Sequence, residues 1–160
     1  INPSGLASVR PYPGLTARYQ LLPEIFTPIS VVSHDQLSAD PARLVASGPE
    51  IVLQAKQSIS VTMALHELQT NALKYGALST PDGSVDLFWK LIDSPDGSRL
   101  WMQWVERDGP ALQAPEAQGF GTRLITSATA RALGGEVEID YPTTGLTWIL
   151  VAPLARVSAA

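Results

Sequence analysis

The distribution of proline limits where this chain can form long helices. Seven of its 13 prolines fall before residue 50, at Pro3, Pro11, Pro13, Pro23, Pro28, Pro41 and Pro49. Because proline fixes φ and removes a backbone donor, that part of the chain is unsuited to long regular helices. Residues 50–80 and 116–141 contain no proline, and we expect the main helices in these two windows.

The first proline-free window predicts one long helix. Residues 51–53 read as a short strand, and a helical pattern covers residues 55–75, with Gly76 as a candidate C-cap. Apolar residues that recur close to the helical period predict its buried face: Ile59, Met63, Leu65, Leu68, Ala72 and Leu73.

The remaining elements predict a two-layer α/β sandwich. Strand patterns at 84–92 and 100–106 flank a turn sequence at 94–97, and a loop runs over about 108–118. A second helix at 121–133 ends at Gly134-Gly135, and residues 136–141 and 147–152 form a closing hairpin. This alternation is too irregular for a doubly wound parallel sheet.

Composition narrows the class of protein. A chain of 160 residues suffices for one domain with a real core. The absence of cysteine excludes disulfides and thiolate metal sites, and two histidines, His34 and His66, exclude a histidine-rich one. A net charge of -4 argues against a nucleic-acid surface. Without a membrane-length apolar run or a signal peptide, we expect a cytoplasmic chain with no membrane contact.

Three polar residues on the first helix could form a phosphate site. Glu67, Asn71 and Lys74 share one face at spacing i, i+4 and i+7. An amide oxygen can ligate Mg²⁺, an ammonium can neutralise phosphate and a carboxylate can accept a proton. A solvated helix face is the ordinary alternative. His66-Glu67 also begins the zinc-protease pattern H-E-x-x-H, but Thr70 stands at the second ligand position.

Two further segments could contact a nucleotide. Gly119-Phe120-Gly121-Thr122 opens the second helix, where glycines permit close approach and free N–H groups attract phosphate. It fits neither the dinucleotide nor the Walker pattern, and an ordinary loop-to-helix junction is the alternative. Glu106 and Asp108 end a strand and could accept from the exocyclic amine of adenine, although they could equally be ordinary turn residues.

These segments together resemble the ATP-binding catalytic domain of sensor histidine kinases, within the gyrase, Hsp90, histidine kinase and MutL ATPase superfamily. Three motifs occur in the family's order: an asparagine box on a helix (His66–Ser79), a first glycine box after a strand (Trp104–Pro110) and a second glycine box opening a helix (Gly119–Thr122). His66, Trp104 and Glu106 resemble the HWE subtype, named for a histidine and a W-x-E. The resemblance covers roughly residues 40–154 and implies a Bergerat-type fold, a mixed sheet with helices on one face.

The resemblance also implies roles for individual residues. Asn71 would ligate Mg²⁺, Glu67 would act as base or orienting group near the γ-phosphate, and Lys74 would contact phosphate. His66 would brace the catalytic Glu67. The remaining nucleotide-binding positions would be Tyr75, Glu106, Asp108, Gly109, Gly119, Gly121, Thr122 and Thr147, with Glu106 at the adenine-reading position and Thr147 on the adenine pocket wall.

Two departures qualify the resemblance. Asp108 stands where glycine is expected, so it competes with Glu106 for the adenine role. We expect the preceding residues, 1–40, to be a proline-rich leader or a remnant of the preceding dimerisation region, without a recognisable acceptor motif, and residues 155–160 to be a tail. We therefore expect residues 41–154 to bind Mg²⁺–ATP and to phosphorylate a histidine on the dimerisation domain of the same kinase, and indirectly a response regulator. A serine/threonine kinase of the anti-sigma-factor type and a degenerate binding module are the alternatives.

Overall fold

The computed structural model describes residues 43–49, 51, 53–111 and 119–154. The expected leader, with His34, and the expected tail lie outside these residues, as does 112–118 of the expected loop. Within the described residues, five strands form one sheet in the order β1-β2-β3-β5-β4. The first pair is parallel and the other pairs are antiparallel. The strands are β1 (Leu44–Ser47), β2 (Ser84–Ser94), β3 (Gly97–Arg107), β4 (Glu136–Asp140) and β5 (Thr147–Pro153).

Two helical segments form the second layer. Helix α1 is Ala55–Lys74, followed by a short 3-10 turn at Ala77–Ser79. The second segment, α2, is α-helical at Phe120–Arg123, π-helical at Leu124–Ala128 and α-helical again at Thr129–Leu133. It contacts α1, β4 and β5. Apolar residues of both helices share one core with alternate strand residues, so the predicted two-layer sandwich is confirmed.

Three tryptophans of the sheet are fully buried in the core, and all three indole N–H groups have acceptors. Trp89 donates its indole N–H to the carbonyl of Pro49 at 2.8 Å, and Trp104 donates to Glu106 Oε1 at 3.2 Å. Trp148 donates to the carbonyl of Ile125 at 2.6 Å, inside the π-helical part of α2. Each ring therefore buries a large apolar area without leaving its indole N–H unsatisfied.

The end of α2 forms as the sequence predicts. Gly134 adopts φ 62°, and its N–H bonds to the carbonyl of Arg131. The N–H of Gly135 bonds to the carbonyl of Ala130 at 2.9 Å. These two bonds form a Schellman motif, which stops the helix where a left-handed residue is required.

Two local predictions are wrong. The sequence predicts a strand at residues 51–53, but Ile51 and Leu53 are buried outside any strand. The strand that precedes α1 is instead β1, four residues that lie shortly after Pro41 and that the sequence did not predict. On α1, Ile59 and Met63 are 60% and 47% exposed, and Leu73 is also exposed. Apolar residues occur on both sides of this helix, and the side that faces the sheet carries Leu65, Leu68 and Ala72 together with the buried polar Ser58 and Gln69.

None of the described helices is both long enough and apolar enough to traverse a bilayer.

Candidate functional site

The polar stripe of α1 lies on the border of the buried surface. Glu67 and Asn71 are half-buried, and Lys74, in the last turn, is exposed. The carbonyl of Asn71 accepts from the N–H groups of Tyr75 and Gly76 at 2.8 and 3.0 Å, which closes the helix. The Asn71 backbone therefore fixes the helix end, while its side chain stands in line with Glu67 and Lys74.

The start of α2 reaches this stripe. A Cβ added at Gly121 would lie 2.9 Å from Glu67 Cδ and closer still to its Oε1, which is tighter than Cβ contacts in real proteins. Only a glycine leaves the Glu67 carboxylate this room. The structure thus brings the asparagine box and the second glycine box into contact. The two residues are 54 positions apart in the sequence, so residue spacing could not predict this contact.

Glu106 closes the inner end of the site. It ends the buried face of β3, on the same side as Trp104, and is 3% exposed. Its Oε2 accepts from the backbone N–H of Ala77 at 2.8 Å, and its Oε1 accepts from the Trp104 indole at 3.2 Å. Burial raises the pKa of this carboxyl above its ordinary value of 4.5, and these two hydrogen bonds partly oppose the rise.

Backbone segments pack closely around the Glu106 side chain. A Cβ on Gly76 would lie 3.0 Å from Glu106 Cδ and 2.9 Å from the Cα of Ala72. A Cβ on Gly145, which has φ 133°, would lie 2.7 Å from the Glu106 carbonyl carbon. Gly76 has φ -102° and follows the cap residue Tyr75, so the predicted C-cap is one residue too late. Glycine is required there by the approach of Glu106, not by a left-handed backbone.

Tyr141 interacts electrostatically with Glu106, and sequence reasoning missed it. The residue follows β4 directly and packs against the core. Burial raises its phenol pKa above 10.0, and the charge of Glu106 adds to the rise. The strand pattern of the sequence included Tyr141 but gave no sign of its electrostatic interaction with Glu106.

Asp108 takes the backbone conformation of the glycine expected there. Its φ is 55°, in the left-handed region that Asp tolerates better than most residues. Its side chain is exposed, and its carbonyl accepts from Thr80 Oγ1 at 3.2 Å. A Cβ on the neighbouring Gly109 would lie 2.6 Å from the Cα of Ala77. The altered turn is thus tied to the 3-10 turn, and the Asp108 side chain is exposed whereas Glu106 is buried.

Several expected site residues stand apart from this cluster. Thr147 lies with Ile149 and Val151 on the less buried face of β5, and Trp148 lies on the other. Because Glu106 is on the buried face of β3, the structure does not bring Thr147 to it. His66 is exposed on α1 and Tyr75 is 66% exposed. At the start of α2, an added Cβ on Gly119 meets no atom within 4 Å, and Thr122 is half-buried.

Arg43 is a second residue that sequence reasoning missed. Its guanidinium donates to the carbonyls of Gly83 at 2.9 Å and Ala77 at 3.3 Å, and also to the carbonyl of Thr80. These hydrogen bonds connect the segment after α1 to the residue that precedes β1. No motif marks it, because its partners are backbone carbonyls 34 to 40 positions away.

The residues present fit a nucleotide with its magnesium ion. Among the described residues, no group of three His, Asp or Glu side chains could hold a metal alone. An amide oxygen at Asn71 beside the Glu67 carboxylate instead suits a cation that takes its other ligands from phosphates and water. The space kept open at Gly121 adjoins the Glu67 side chain.

Similarity to known proteins agrees with this arrangement. The chain is 38% identical over 112 residues to a blue-light-activated histidine kinase of Brucella anthropi, covering 70% of this chain and 23% of that protein. The kinase of the same name from Brucella ovis is 32% identical with the same coverage. The chain thus spans about a quarter of the length of these curated relatives. No protein-family model matches it.

Solved structures show the same fold. The histidine kinase domain of the blue-light-activated histidine kinase of Erythrobacter litoralis superposes with a TM-score of 0.55 at 16% identity, over 70% of this chain and 51% of that one. The Acinetobacter baumannii histidine kinase AdeS gives 0.54 at 16% identity, over 86% and 70%. The fold is therefore that of histidine kinase catalytic domains.

Over about 70% of its length the chain is thus similar in sequence to histidine kinases. The resemblance to HWE-type histidine kinases expected from His66, Trp104 and Glu106 agrees with these relatives, and the expected fold is confirmed.

Proposed function

We propose that this domain binds Mg²⁺–ATP and donates the γ-phosphoryl group to a histidine on the dimerisation domain of the same kinase, which then supplies a response regulator. The observation that carries the proposal is the contact between the Glu67 carboxylate and Gly121. It sets the one half-buried carboxylate of the α1 stripe against the glycine segment at the start of a helix, where phosphate is favoured.

The α1 stripe would hold the phosphates. Asn71 would supply an amide oxygen to the magnesium ion, which neutralises phosphate charge when bound. Lys74 would place its ammonium against phosphate oxygens, and the backbone at Gly119, Gly121 and Thr122 would offer N–H groups to them. Because Lys74 and Tyr75 are exposed, they could contact a ligand without rearrangement of the core.

Glu67 would serve the transfer step itself. A histidine ring nitrogen attacks the γ-phosphorus, the new N–P bond forms as the bond to the β–γ bridging oxygen breaks, and ADP leaves. The Glu67 carboxylate would orient the ring or take its proton. His66 precedes it on the exposed side of α1, and we assign it the role of bracing this turn of the helix.

Glu106 would read adenine at the inner end of the site. Its buried carboxylate can accept a hydrogen bond from the exocyclic amine, whereas guanine presents a carbonyl oxygen at that position. Asp108 is exposed, whereas Glu106 is buried and held by two hydrogen bonds, so we assign the adenine role to Glu106. Gly109 would let the turn pass close to the base.

Asn71→Ala tests the proposal. We expect Mg²⁺-dependent ATP binding to be lost while the fold is kept, because the half-buried side chain has no place in the apolar core. Calorimetry with and without Mg²⁺ measures the affinity. Thr70→Ala is the matched control, since that hydroxyl bonds to the carbonyl of His66, 2.9 Å away on the same helix. Unchanged affinity in Asn71→Ala would remove Asn71 as the ligand.

A further inference from the structure

Trp104 and Glu106 form a coupled pair at the end of β3. They stand two positions apart, so both side chains lie on the helix-covered face of the strand. The Trp104 ring is fully buried, and its indole N–H reaches Glu106 Oε1 at 3.2 Å. The other oxygen, Oε2, receives the Ala77 N–H at 2.8 Å. Each carboxylate oxygen therefore has its own donor.

We infer that Trp104 is a positioning residue for base recognition. Its indole N–H fixes the orientation of the Glu106 carboxylate, so that the lone pairs not used by Trp104 and Ala77 face the amine of a purine. The inference rests on the proposed function and deepens it. It gives the tryptophan of the W-x-E segment a polar role in addition to its packing.

The hydrogen-bond inventory supports this role. An ionised carboxylate offers about four acceptor positions, and the bonds from Trp104 and Ala77 use about half of them. The two donors sit on different oxygens, so together they define the plane of the group. With Trp104 removed as donor, Oε1 would keep its burial but lose its partner, and the carboxylate could turn about its last torsion angle.

A second tryptophan provides a matched comparison. Trp148 pairs directly across the sheet from Trp104 and is equally buried. Its indole N–H goes to the carbonyl of Ile125 at 2.6 Å, in α2, and not to Glu106. Replacing either residue by phenylalanine removes one indole and one hydrogen bond from the same layer of the core, but only one replacement reaches Glu106.

The test compares two nucleotides in three proteins. Wild type, Trp104→Phe and Trp148→Phe of the full chain are titrated with Mg²⁺–ATP and with the triphosphate of purine riboside, which lacks the 6-amino group. We expect the preference for ATP to fall about tenfold in Trp104→Phe, the size of one charged hydrogen bond. In Trp148→Phe the preference should stay as in wild type, although thermal stability falls.

Nuclear magnetic resonance of the wild type gives a readout that needs no folded variant. ATP should shift the indole N–H resonance of Trp104 more than the desamino nucleotide does, while the resonance of Trp148 stays in place. Three results would overturn the inference and leave the proposed function standing. They are an unchanged preference for ATP in Trp104→Phe, an equal loss of preference in both variants, and a Trp104 resonance that shifts equally with both nucleotides. Absence of ATP binding in wild type would overturn both.

Discussion

A methyl group at position 121 should separate catalysis from stability. In Gly121→Ala the new Cβ would meet Glu67 Cδ at 2.9 Å, against an ordinary contact of 3.4 Å or more, and would meet Oε1 more severely. Because Oε1 is the far end of a flexible side chain, the carboxylate can swing aside while the two helices stay in place. We expect that displacement to be roughly 1 Å, which is enough to lower kcat about 100-fold if Glu67 acts at the γ-phosphate.

The effect of Gly121→Ala on folding should be small, because two terms oppose each other. Alanine is favoured over glycine in a helix by about 1 kcal/mol. An off-rotamer Glu67 would cost about 0.5–1.5 kcal/mol. We therefore expect the free energy of unfolding to change by less than about 1 kcal/mol, as measured by chemical denaturation.

Phosphoryl transfer from γ-labelled ATP in the full-length kinase provides the activity measurement. The control is a double-mutant cycle with Glu67→Ala, in which the added methyl group should cause no further loss because the obstructed carboxylate is gone. Full activity in Gly121→Ala would refute the reasoning. So would a loss of more than about 3 kcal/mol of stability, since that would mean the backbone had moved.

Two further predictions concern the folding of the domain. Arg43→Ala should lower the free energy of unfolding by about 1.5–3 kcal/mol, because the guanidinium bonds to the carbonyls of Gly83, Ala77 and Thr80. Urea denaturation measures this loss, and a loss below about 0.5 kcal/mol would contradict the prediction. Glu106 has a raised pKa in the folded state, so its contribution to stability is fully present below pH 4.5 and is lost as the pH rises through the raised value. Wild type should therefore lose stability with rising pH relative to Glu106→Gln in urea titrations from pH 4 upward, and parallel curves would contradict the assignment.

The helices and most strands could be predicted because their signals are local. Absence of proline and a helical period locate α1 and α2, and a two-residue turn between Ser94 and Gly97 locates the β2–β3 hairpin. The buried side of α1 could not be predicted in full. Ile59 and Met63 continue the apolar pattern of the helix, and only the position of the sheet decides that they face outward.

The site divides in the same way. Glu67, Asn71 and Lys74 share a helix face by simple spacing, so the sequence places them together. Their contact with Gly121 depends on how α2 lies on α1, which no periodicity encodes. Glu106 was visible as a carboxylate at a strand end, but its bond to the Ala77 N–H joins residues 29 positions apart.

The parallel pairing of β1 has a consequence for synthesis of the chain. β2 and β3 are adjacent and pair through a tight turn, a step that takes about 1–10 µs for an isolated hairpin. β1 leaves the ribosome first, yet its partner β2 follows only after all of α1 has been made. At about 5–20 residues per second this delay lasts seconds, during which the apolar side of α1 has no sheet to cover it. β1 has only four residues, so before β2 is made it exposes few unpaired backbone N–H and C=O groups that could pair with an incorrect strand.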